Sequence, residues 1–75
     1  MEVYKGETRE VIRRFLAGQL TFPACIAALD AALAGLIPHL PADQLEELRS
    51  VMAANNAVVM QEMKRRSAAS HPPVM

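Results

Sequence analysis

Thr21 to Pro38 reads TFPACIAALDAALAGLIP, a helix-length run whose only charged residue is Asp30. Phe22, Ile26, Leu29, Leu33, Leu36 and Ile37 recur at steps of three and four and share one side of a helix with Cys25, the pattern of a core-facing stripe. The other side carries Ala24, Ala27, Ala28, Ala31, Ala34 and Gly35, apolar too but far smaller. A helix that is apolar all round belongs in a large core, and 75 residues cannot build one alone. The spacing therefore predicts a helix over 22–37 with its large face inside the subunit. The flat face, through Ala24, Ala28, Ala31 and Gly35, is expected to meet a second copy or a tightly docked third helix, the second copy first, since small side chains let two backbones approach closely.

A bilayer span needs about 20 apolar residues. This run is shorter, holds Asp30 near its middle and stops at Pro38. The opening residues, MEVYKGE, lack the basic start and apolar stretch of a signal peptide. A cytoplasmic protein with no membrane partner is the expectation, and a lone Cys25 agrees with it, because small secreted domains carry paired cysteines.

The composition is 52% hydrophobic, 4% aromatic and free of Trp, within one domain's length. Below roughly 80 residues a single core needs disulfides, metal or oligomerisation to add to it. One cysteine and two histidines remove the first two, which leaves oligomerisation. A net charge of zero argues against a protein that relies on bulk attraction to nucleic acid or an anionic membrane.

Working outward toward the N-terminus, Val11, Ile12, Phe15 and Leu16 form a stripe that Thr8 extends back one turn, predicting a helix over 7–18 after a polar entry at 1–6. Gly18 suits a left-handed C-cap, and Thr21 suits an N-cap with Pro23 in the first turn. Only Gln19 and Leu20 lie between, so the first two helices form an antiparallel hairpin. Toward the C-terminus, Pro38 to Pro41 is a stiff connector. A third helix is expected over 41–66, with Asp43, Glu46 and Glu47 first and Lys64, Arg65 and Arg66 last, the order a helix dipole favours. Its length of about 39 Å exceeds that of the second helix, about 24 Å. Leu45, Leu48, Met52 and Asn55 stripe it and join the expected self-assembly surface, Asn55 as a register-fixing polar residue. Residues 67–75 have the composition of a flexible tail.

Candidate chemistry is sparse. Asp30, at the edge of the large apolar face, is expected to be buried and paired with Arg13, Arg14, Arg49 or Asn55. Cys25 reads as a small buried hydrophobe. His39 and His71 have no spacing with Cys25 that makes a metal site or a nucleophile and base. No phosphate loop, zinc pattern or nucleophile elbow is present.

These readings converge on an all-α three-helix bundle over 1–66, a short helical hairpin plus a longer C-terminal helix, completed by homodimerisation. The expected function is non-enzymatic and cofactor-free: a small regulatory or interaction protein that offers a helical surface to a protein partner. Met60, Met63, Arg65 and Arg66 are the expected partner-binding residues. The alternative is a nucleic-acid-associated regulator using the arginines, although no aromatic residues are interleaved to stack bases.

Overall fold

A computed structural model describes residues 1–70 of the chain. Among them are α1 (Glu2–Leu16), α2 (Phe22–Leu36) and α3 (Leu45–Ser70), with 3-10 turns at Ile37–His39 and Ala42–Gln44 between α2 and α3, and no strand. The fold is all-α, as the periodicity indicates.

Helix α1 begins at Glu2, a turn and more before the expected start at Glu7. Tyr4 and Thr8 explain the difference. Both are buried, one turn apart and in line with Phe15, so the packed stripe runs Tyr4, Thr8, Val11, Phe15 and pulls the first turn into the helix. Thr8 is tolerated inside because its hydroxyl donates to the Lys5 carbonyl at 3.2 Å. Lys5 pairs with Glu47 across the helices, and the carboxylate's hydrogen bond raises the lysine's pKa. Leu16, expected in the stripe, is 46% exposed because the packed line falls a quarter turn away from it.

The turn into α2 is built as the residues suggest. Gly18 takes φ +81°, Gly18 N–H donates to the Phe15 carbonyl at 3.1 Å and Gln19 N–H to the Arg14 carbonyl at 2.9 Å, a Schellman closure. Thr21 Oγ accepts from Ala24 N–H at 3.2 Å, with Pro23 in the first turn. At the other end Pro38 falls inside a tight turn, where Leu40 N–H reaches the Ile37 carbonyl, and Leu40 and Pro41 are extended. The expected start of the third helix at Pro41 is a 3-10 turn, and α-helical bonding begins at Leu45.

Helix α3 passes the expected end at Arg66 and runs to Ser70. The segment 67–70 is Ser-Ala-Ala-Ser, without Gly or Pro, so nothing in it stops a helix. The tail expected from 67 is thus helical to 70, and 71–75, with His71, lie outside the described residues.

The helices run up, down and up. Lys5 meets Glu47 at one end and Phe15 meets Arg66 at the other, so α1 and α3 are parallel, α2 is antiparallel to both, and α1 packs against each of the other two. Phe15, Cys25 and Val59, one residue from each helix, form the core, with Val11, Ile12, Leu20, Phe22, Ile26, Leu29 and Met63 packed around it. Full burial of Phe15 contributes about 2–3 kcal/mol. This core sits at the hairpin end. The Cα framework measures 54 × 21 × 15 Å with a radius of gyration of 14.5 Å, against about 11 Å for a compact chain of this length. The slab is thin, and much of α2 remains at its surface.

Candidate interaction surfaces

The large face of α2 turns inward and the small face outward. Cys25 is buried, Phe22, Ile26, Leu29, Leu33 and Leu36 are half-buried, and Ala24, Ala27, Ala31, Ala34 and Gly35 are exposed. Only 11% of Phe22–His39 is buried, and this segment is long and apolar enough to cross a membrane by length and composition. Asp30 is exposed and makes no ion pair among the described residues, which corrects the expectation of a buried pair. It sits where α2 faces the cleft toward α3, a small space of about 70 Å3 shared with Tyr4, Met52, Asn55 and Asn56. Water reaches the carboxylate there, so no partner is required.

The residues expected to organise self-assembly divide into two groups. Ala24, Ala28, Ala31 and Gly35 lie on the outward side of α2, with Ala28 half-buried. Leu48 is buried among the chain's own helices, Met52 and Asn55 are half-buried beside α1 and α2, and Leu45 is 52% exposed at the start of α3. The two groups are on different faces.

Of the expected partner residues, Met60 is 54% exposed while Met63 packs against the core. Arg65 and Arg66 are held by Glu62. Arg65 grips the carboxylate through two bonds of 2.8 and 2.6 Å, and Arg66 Nε adds a third at 2.8 Å. These bonds, that of Arg65 first, bring the Glu62 pKa down to about 2 although the side chain is nearly buried. Arg66 then reaches across to α1. Its Nη2 donates to the Phe15 carbonyl at 2.5 Å, Nη1 lies 3.5 Å from the Leu20 carbonyl, and the guanidinium stacks 4.1 Å over the Phe15 ring. It serves the carbonyl-rich end of α1, where a positive charge is favoured. Burial pushes the neighbouring Cys25 thiol up, and the charge of Arg66 partly opposes this.

No protein-family model, curated protein or solved structure matches the chain. Its surfaces are therefore read from their own geometry.

Two open grooves stand out. One, of about 640 Å3, lies beside the hairpin end of α3, with Leu16, Ala57 and Val58 as its apolar part and Gln61, Lys64 and Arg65 along its edge. The other runs between α1 and α2 on the outward side. It has a section of about 690 Å3 over Ala28, Ala31 and Ala32 and a section of about 330 Å3 over Gly35 and Leu36, joined at Glu7 and Ala32. Among the described residues no group of three or more His, Cys, Asp or Glu could hold a metal ion.

Glu62 is the functional residue that sequence reasoning missed. The signal was its spacing to Arg65 and Arg66, at i+3 and i+4 on one helix.

Proposed function

We propose that the chain is a small non-enzymatic interaction protein that works as a homodimer and offers a helical surface to another protein. The outward side of α2 carries this reading: Ala24, Ala27, Ala31, Ala34 and Gly35 are exposed with no polar side chain among them. A helix that faces water ordinarily turns charged residues outward. Here Asp30 is the one exposed charge, at the margin toward α3, and across the rest of this side water meets methyl groups and backbone, a surface suited to close approach by another helix. The groove where α3 passes the hairpin, with Leu16, Ala57 and Val58 as its apolar part and Lys64 and Arg65 on its edge, is the surface offered to a protein partner, and exposed Met60, three residues from Ala57 on the same helix, adds a side chain that adapts to varied shapes.

The arginines support a protein partner over nucleic acid. Arg13 and Arg14 bond Glu10, Arg65 bonds Glu62, and Arg66 is engaged with Glu62 and Phe15, so these guanidinium groups already have acceptors. A net charge of zero adds no long-range attraction to phosphate. A cytoplasmic location belongs to the same proposal, with α2 covered by protein in place of lipid.

The test uses an Ala31→Cys variant labelled with a maleimide. Cys25, fully buried, stays silent. Labelling should slow as the chain is concentrated through the micromolar range, while an Ala57→Cys control does not change. Labelling indifferent to chain concentration, or slowed only by phosphatidylcholine vesicles, contradicts the proposal.

A further inference from the structure

The cations that the fold leaves without a carboxylate stand on one face. Arg9 and Lys64 form no ion pair among the described residues, whereas Lys5, Arg13, Arg14, Arg49, Arg65 and Arg66 each have one. Both line the seam between α1 and α3. Arg9, with Ile12 of α1 and Val51 and Asn55 of α3, edges a hollow of about 280 Å3. One turn further along both helices, Leu16 and Val58 open the groove of about 640 Å3 that Lys64 and Arg65 edge. The seam lies on the opposite side of α1 from Glu7, Glu10 and Arg14, which border α2.

The carboxylates are sorted the other way. Glu7, Asp30 and Asp43 form no ion pair among the described residues, and they lie in the α1/α2 groove, at the α2/α3 cleft and in the connector. Glu47 and Glu62, the acids beside the seam, are already held by Lys5 and by Arg65 with Arg66. The seam thus keeps an apolar strip of Ile12, Leu16, Val51 and Val58 between an uncompensated cation on α1 and another on α3. Leu16 is 46% and Val58 38% exposed, so the strip is open to a ligand. From Val51 to Lys64 it runs about 20 Å, between three and four turns of helix.

We infer that the α1/α3 seam docks an acidic amphipathic helix of a partner protein, its apolar side on Ile12, Leu16, Val51 and Val58 and its carboxylates against Arg9 and Lys64. A helix of this kind lays its apolar stripe into a groove while its flanking charges meet the groove's edges. A flat bilayer does not enter a concave seam, and no aromatic side chain among the described residues lines it to stack bases. The inference rests on the reading of the groove beside α3 as the partner surface, and adds the chemistry of the partner.

Two synthetic peptides of about 15 residues, long enough to span the seam, are the probes. Both carry leucines at steps of three and four, flanked in one by glutamates and in the other by lysines. Fluorescence anisotropy follows their binding to the wild-type chain, Arg9→Glu, Lys64→Glu and Val58→Asp, with helix content checked by circular dichroism. Positions 9, 58 and 64 are exposed, so the fold tolerates these changes. The glutamate peptide should bind and the lysine peptide should not. Arg9→Glu and Lys64→Glu should each weaken binding roughly tenfold, added salt should weaken it too, and Val58→Asp should abolish it. Equal binding of both peptides, lost with Val58→Asp but indifferent to Arg9→Glu and Lys64→Glu, overturns the acidic partner and leaves the groove reading standing. No binding of either peptide overturns both. Displacement of the glutamate peptide by phosphatidylserine vesicles or oligothymidylate, or a wild-type dimer that Arg9→Glu and Lys64→Glu dissociate, gives the seam to another occupant and overturns the inference.

Discussion

Arg66 of α3 stacks 4.1 Å over the ring of Phe15 in α1 and donates to that residue's own carbonyl at 2.5 Å. One side chain thus covers the central core residue and satisfies the end of the helix that carries it. Replacing Arg66 by Ala should destabilise the fold by about 2 kcal/mol, the range of a charge-assisted hydrogen bond. That corresponds to a fall in Tm on the order of 10 °C. Lysine at 66 should recover only part, because an ammonium cannot stack flat and fork to an acceptor at once. Arg65→Ala, at a side chain 67% exposed, should cost clearly less. Thermal unfolding of the three variants checks the order.

Acid should weaken the fold in a defined window. Glu62 titrates near 4.5 when unfolded and near 2 when folded, chiefly through its bonds to Arg65 and then Arg66. The unfolded chain therefore binds more protons between these values, so the stabilisation is complete above pH 4.5 and lost as pH falls toward 2. Glu10, lowered to about 2 by Arg13 and then Arg14, acts in the same direction but at the surface. Denaturant titrations across this window should show a fall that Glu62→Gln flattens. The Glu10 part should shrink in high salt, as exposed pairs do.

Asp30→Asn should change stability by no more than about 0.5 kcal/mol, the ordinary range for a surface site. The carboxylate is exposed and unpaired among the described residues, so removing its charge strands no partner. A large loss on chemical denaturation would mean that Asp30 is buried and paired after all.

The hairpin between α1 and α2 depends on two local devices. Gly18→Ala places a Cβ at φ +81° and should cost about 1 kcal/mol. Thr21→Ala removes the acceptor for Ala24 N–H and should cost a similar amount, about 1 kcal/mol. Either change, measured by urea unfolding, should leave the slope with denaturant unaltered.

What could be read from the sequence was what local chemistry decides. Thr21, Pro23, Pro38 and Gly18 bound the hairpin and α2 through capping, ring and φ constraints that act within a few residues. The two-sided character of α2 was equally visible, since size alone separates Leu29 and Leu33 from Ala31 and Gly35. The early start of α1 was not, because Tyr4 and Thr8 join the helix by packing inward with the rest of the bundle. The burial of Glu62 under Arg65 and Arg66 was not visible either, because it depends on which side of α3 meets α1. Asp30 erred the other way, because its place on the edge of α2 falls beside an open cleft. Asn55 and Leu48 belong to the subunit's own helix packing for the same reason: which side of α3 meets α1 is a tertiary fact.

The central claim is that the outward side of α2 is an interface and not a free surface. Static light scattering across a concentration series tests it most directly. A self-associating chain gives a mass of twice 8.2 kDa, falling toward one chain on dilution. A constant 8.2 kDa at every concentration, with helix content unchanged, would contradict it.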